Sequence, residues 1–250
     1  MSIPSINIIQ TSIHNLSFQE TLICIQQHII EKKQLHHTVV NAGKIAKMHK
    51  DAELSESVNS ADLINADGQA VVWASRFLNQ PLKERVAGVD LMKACVEMAA
   101  LNHYKIYLFG ATQEVIETLV EKYKATFESN IIAGFRNGYF KENEEELIVQ
   151  KIKEAKPQML FVAMPSPKKE NFLYKHRDAL QDVNFIMGVG GSFDVFAGKT
   201  KRAPQWMQNA GLEWFYRFLQ EPKRMWKRYL IGNSKFIYLV LKEKFFPSHK

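Results

Sequence analysis

Short runs of β-branched and aromatic residues alternate with amphipathic helical stretches along the first two hundred residues, which restricts the chain to few folds. The runs predict strands at Ile6–Ile9, Thr38–Asn41, Leu63–Ala66, Lys105–Phe109, Asn130–Gly134, Met159–Ala163 and Asn184–Val189. Between them, helical spacing marks Phe18–Lys32, Leu91–Leu101, Glu114–Phe127, Glu144–Ala155 and Lys168–Leu180. Thr112 and Asn143 carry side chains suited to opening two of these helices. Strands separated by helices pair in parallel, because a tight hairpin cannot join them. The expected class is therefore α/β, a mostly parallel sheet with helices on both faces.

Beyond Gly198 the strand pattern stops. Helical segments are expected at Pro204–Asn209, Leu212–Leu219 and Met225–Phe245, with Pro222 breaking the run. The division predicted is a sheet-based core over 1–198 and a helical, basic appendage over 199–250. Residues 201–250 carry a net charge of +8 against +7 for the whole chain, so the body is close to neutral. Trp206, Trp214, Phe215, Tyr216, Phe218, Trp226 and Tyr229 are interleaved with those cations. Such a tail reads as a solvated face, as a nucleic-acid surface with stacked aromatics, or as an amphipathic membrane contact. The apolar neighbours in Glu221–Tyr229 fit a membrane interface at least as well as nucleic acid. At about 1 kcal/mol per Lys or Arg near an anionic surface, four or five cations are enough to hold a protein there.

Cys24 and Cys95 lie far apart in apolar helical patterns and read as reduced core residues, with no disulfide or metal site expected. The start Met1–Ser5 lacks the basic and apolar regions of a signal peptide, and runs such as Ile237–Leu241 are too short to span a bilayer. The expected location is cytoplasmic, peripheral to the membrane. The paired His36 and His37 are expected to be solvated.

In an open parallel sheet, ligands bind beyond the carboxyl ends of the strands. The residues there are Asn41-Ala-Gly43, Asp67-Gly68, Gly110-Ala-Thr112, Gly138-Tyr139, Pro165–Glu170 and Gly188–Asp194. Glycines at these points let backbone amides approach an anion. None matches a phosphate-loop or dinucleotide fingerprint. Asp67 reads either as the cap of a following helix or as a general base, and Arg85 as a phosphate clamp or an ion-pair partner of Asp90. No D-x-D triplet is present, so cationic side chains would have to replace a metal at a leaving diphosphate.

Taken in order, Ala66-Asp67-Gly68, Arg85-Val-Ala-Gly88-Val-Asp90-Leu91, Gly138-Tyr139-Phe140, Pro167-Lys168-Lys169-Glu170, Gly188–Gly198, Arg202-Ala-Pro204, Gly211-Leu-Glu-Trp214-Phe-Tyr-Arg217 and Glu221-Pro222 resemble the WecG/TagA/CpsF glycosyltransferase family. The resemblance runs over roughly residues 35–230. It implies a Rossmann-like core and a metal-independent, inverting transferase. Such an enzyme moves N-acetylmannosamine, its uronic acid or glucose from a UDP-sugar to a sugar on undecaprenyl diphosphate, in capsule, exopolysaccharide or teichoic acid linkage assembly.

By the same resemblance Asp67 is the base. Asn41, Arg85, Gly110, Tyr139, Lys169, Glu170, Gly190, Gly191 and Asp194 surround the donor, with Tyr139 stacking on its base. Arg217, Arg224, Lys227 and Arg228 meet the diphosphate, and a homo-oligomer is expected. No cofactor is implied and nucleic acid is not a partner; a non-catalytic nucleic-acid or membrane-binding module is the alternative class. Two positions depart from the family pattern: Val39 stands where Thr is usual, and Lys169 where Gln is usual. A lysine there would favour an anionic group on the donor or acceptor.

Overall fold

The computed structural model describes residues 3–127, 130–226 and 231–246. The chain opens with a hairpin of β1 (Ser5–Ile8) and β2 (Thr11–His14), followed by α1 (Phe18–Ile30) and β3 (Leu35–Val40). Next come α2 (Ala42–Met48), α3 (Ala52–Asn59), β4 (Leu63–Ala66), α4 (Gln69–Phe77) and α5 (Gly88–Leu101). The alternation continues through β5 (Ile106–Gly110), α6 (Gln113–Thr126), β6 (Ile132–Arg136), α7 (Glu145–Ala155), β7 (Met159–Ala163), α8 (Lys168–Lys175) and β8 (Phe185–Gly188). After α9 (Ser192–Ala197) the basic segment forms α10 (Gln205–Asn209), α11 (Glu213–Gln220), α12 (Pro222–Trp226) and α13 (Asn233–Phe245).

β3 to β8 form a six-stranded sheet in the order β4-β3-β8-β7-β5-β6, every pairing parallel. Alternate strand residues divide the core. Ile106, Leu108, Met159, Phe161, Phe185 and Met187 face α1, α5, α6 and α9. Tyr107, Phe109, Leu160, Val162 and Ile186 face α7 and α8. On that second face, Val40, Ile64 and Ala66 meet α2, α3, α4 and the hairpin. The α/β class with helices on both faces is what the chain forms.

The neighbouring strands β3 and β8 send their following helices to opposite faces, since α2 joins one core and Phe193 of α9 the other. A crevice opens at such a point, beyond the carboxyl ends of the strands.

Two features differ from the expectation. The strand β2 and helices α2 and α3 were not anticipated, and His36 and His37 are buried rather than solvated. β3 starts at Leu35 and runs between β4 and β8 with both edges paired, and His36 and His37 on its opposite faces are buried. His37 Nε2 lies 2.9 Å from Asn65 Oδ1 on β4. Burial pushes both imidazoles down, His36 to about 4 and His37 to about 3.

The end of the basic segment is built into the body. Phe236, Leu239 and Val240 of α13 complete the core over α2. Glu243 accepts the Ile9 amide at 2.7 Å, and Lys235 Nζ donates to Ala46 O at 2.8 Å. Pro222 opens α12 rather than merely separating two helices, as its missing amide allows.

Candidate active site at the sheet rim

The end of β4 gathers several of the expected residues. The Asp67 amide donates to Val40 O at 2.9 Å, which fixes the residue against β3. Gly68 is pressed on Asn41, because a Cβ there would sit 3.1 Å from Asn41 Cβ. Val86 N–H donates to Ala66 O at 2.9 Å and Gly88 N–H to Asp67 Oδ1 at 3.2 Å, so Arg85–Gly88 is strung along the strand end. Asp67 does not cap α4, whose N-cap is Gly68; it holds the first amide of α5 instead. Among the described residues Asp67 Oδ2 has no hydrogen-bond partner. Asn41 caps α2, its side-chain oxygen accepting the Lys44 amide at 3.1 Å. Val39 packs its methyls beneath Gly88, 3.5 Å from where a Cβ would lie.

The basic segment arrives at this same rim. Gly211, at φ +72, lies against Gln69 and Trp73 of α4, and a Cβ there would come 2.9 Å from Gln69 Cγ. Positive φ and lack of room both require glycine. Two residues on, Glu213 Oε2 is 3.4 Å from Arg85 Nη1, while Arg202 Nε reaches Oε1 at 3.2 Å. Arg202 also pairs with Asp90 in the first turn of α5. Asp90, read as a possible partner for Arg85, is thus taken by Arg202. Burial would push the Glu213 carboxyl up, but Arg202, Arg85 and Arg217 outweigh it and hold it below the usual range. Arg217 is half-buried on α11, and Arg224 lies in α12. Lys227 and Arg228 lie outside the described residues.

Beneath the β3–β8 crevice is a buried ion triad. Glu170 Oε1 receives Lys44 Nζ at 2.7 Å and Lys169 Nζ at 2.5 Å, with Glu170 only 3 % and Lys169 6 % exposed. Burial would raise the Glu170 carboxyl, yet the two ammoniums bring it down to about 2. The Lys169 stem packs under Gly188, whose Cβ would fall 3.1 Å from Lys169 Cε. The Lys169 ammonium is therefore paired with Glu170, a carboxylate that it shares with Lys44. Gly190, Gly191 and the half-buried Asp194 follow β8 at the same crevice.

Gly110 adopts φ +132 against Ala163 O, where a Cβ would come within 2.3 Å. The Gly138 amide donates to Ala111 O at 2.9 Å, and Lys168 Nζ to Gly138 O at 3.3 Å, which ties the β5, β6 and β7 ends together. Tyr139 projects from this cluster, 73 % exposed. It follows β6, whereas Asp67 follows β4, and these are the two edge strands. Five strand spacings separate them, about 24 Å.

Asn41, Asp67, Arg85 and the α11 start thus converge, the β8 and α8 residues form the crevice floor, and Tyr139 stands apart. Sequence reasoning missed Lys44, Asp90 with Arg202, and Glu213 as parts of this assembly. The capping position of Asn41 three residues before Lys44 was a local signal for the first. The others join segments more than a hundred residues apart.

Residues 6–250 match the glycosyl transferase WecG/TagA/CpsF family. Among curated proteins, the chain is 35 % identical over 239 residues to an N-acetylglucosaminyldiphosphoundecaprenol N-acetyl-beta-D-mannosaminyltransferase of Bacillus subtilis, covering 93 % of this chain and 91 % of that one. It is 40 % identical over 193 residues to a protein of the same name from Staphylococcus aureus, covering 76 % and 72 %.

Proposed function

Because the chain belongs to the WecG/TagA/CpsF family of glycosyltransferases, we propose that it transfers N-acetylmannosamine from a UDP-sugar to N-acetylglucosamine on undecaprenyl diphosphate, with inversion. The observation that supports this reading is that Asp67 accepts the Gly88 amide at one end of the Arg85–Gly88 segment, while Arg85 pairs with Glu213 on the helix that bears Arg217.

In the proposed reaction the acceptor hydroxyl oxygen attacks C1 of the donor sugar as the bond from C1 to the diphosphate oxygen breaks. The hydroxyl proton passes to Asp67, a transfer typically worth about a hundred- to ten-thousandfold in rate. Negative charge grows on the departing diphosphate, where Arg85 and Arg217, with Arg224, Lys227 and Arg228, are the proposed counter-charges. No metal or cofactor is invoked. The donor would lie along the rim with its base toward Tyr139 and its sugar over the crevice floored by Lys169 and Glu170. Gly110, Gly190 and Gly191 would let the backbone approach it, and Asn41 and Asp194 would add polar contacts.

No helix among the described residues is long and apolar enough to cross a membrane. Trp206, Trp214, Phe215, Leu219 and Trp226 are exposed on α10 to α12 among the cations of the basic segment. The proposed arrangement is peripheral, these side chains meeting the lipid that carries the acceptor. The reading is tested with UDP-N-acetylmannosamine and a short-chain lipid diphosphate N-acetylglucosamine, following product by mass spectrometry in the presence of EDTA. Product formation is expected; its absence with a full panel of UDP-sugars would reject the assignment.

A further inference from the structure

Glu213, in the first turn of α11, is where the basic segment is tied to the sheet rim. Two nitrogens of Arg202 approach its carboxylate at 3.2 and 3.3 Å, and Arg85 approaches at 3.4 Å. Arg217, one turn further along α11, acts on the same carboxylate through space. Arg202 is held on its other edge by Asp90, so its guanidinium is committed to two acids. Arg85, by contrast, makes one long ion pair among the described residues. The cluster holds three guanidiniums and two carboxylates, an excess of one positive charge.

We propose that Glu213 is a positioning residue for the transfer reaction. It aims Arg85 at the space beside Asp67 and keeps α11, with Arg217, over the same rim. The inference rests on the reading of Asp67 and Arg85 as parts of the active site. Guanidiniums meant to converge on one diphosphate repel one another before it arrives, and an acid between them removes that repulsion. Arg202 and Asp90 then fasten the acid to α5, the helix whose first amide Asp67 already holds. Base and counter-charge are thereby referred to one rigid element. Glu213 is half-buried and kept ionised, as this task requires.

The test is a double-mutant cycle in the full-length protein, with kcat/KM measured on the UDP-sugar and a short-chain acceptor. Glu213→Gln alone should lower kcat/KM by about tenfold, and Arg85→Ala by more. If Glu213 acts through Arg85, adding Glu213→Gln to Arg85→Ala should change little further, while Glu213→Asp should recover most of the activity. Thermal midpoints of the four proteins show whether any loss reflects unfolding. A Glu213→Gln effect of equal size in both backgrounds, or none in the wild-type background, would overturn the proposal. Unimpaired turnover in both Asp67→Asn and Arg85→Ala would remove the reading of the site itself, and this inference with it.

Discussion

Asp67 Oδ1 accepts the Gly88 amide, which in the proposed reaction leaves Oδ2 to meet an incoming hydroxyl. One carboxylate thus orients a helix and faces the rim, and the hydrogen bond limits its rotation. Lys169 shows the opposite situation. Its ammonium is spent on Glu170, so Lys169→Gln should leave the preference between UDP-N-acetylmannosamine and its uronate unchanged in a donor competition assay; a swing toward the neutral sugar would show that the charge reaches the donor. The buried histidines make a separate prediction. Their folded pKa values lie below the unfolded 6.5, so their contribution is complete above that pH and is lost as pH falls toward 4 and then 3. Unfolding free energy should drop by up to about 1.4 kcal/mol per pH unit for each histidine. Denaturant titrations at pH 7.5, 6.5 and 5.5 measure this, and a flat profile would contradict it. Glu170 extends the acid sensitivity, its share fading from about 4.5 toward 2.

Helices and strands differ in how plainly they could be read. β4 and β7 fall at the expected residues because each is a short, mainly apolar run bounded by polar turns and buried on both faces. The helix α2 was hidden: Ala42-Gly-Lys-Ile-Ala-Lys-Met carries too few large apolar residues, and part of its burial comes from α13, about two hundred residues away. The same distance hid the tie between Arg85 and Glu213, whereas Asn41 and Asp67 could be found because strand ends are where ligands bind. Removing α13 should uncover Ile45 and Ile8, which it helps to bury, and abolish a cooperative thermal transition seen by circular dichroism. An unchanged melt would mean that α13 is not part of the core. At Gly211 a methyl group would meet Gln69 in a backbone conformation unfavourable to it. Gly211→Ala should therefore lower turnover by shifting α11 while UDP binding, read by calorimetry, is retained. Loss of both together would point to a wider collapse.

The whole molecule places a nearly neutral α/β body behind a cationic, aromatic segment that is pinned at two points, the α4 surface and the α2 surface. Charge and exposed tryptophans on that segment favour an anionic membrane, so sedimentation with vesicles containing anionic lipid should exceed that with neutral vesicles and weaken with salt. Equal binding to both vesicle types would remove the electrostatic part of the account. In the proposed mechanism the chemistry depends on a single carboxylate at the rim and arginines brought over it. The most direct measurement is turnover of Asp67→Asn on the UDP-sugar and lipid-diphosphate acceptor, beside UDP affinity of the same protein. The account predicts a loss of at least about a hundredfold in kcat with UDP affinity preserved. Wild-type turnover in Asp67→Asn would contradict it.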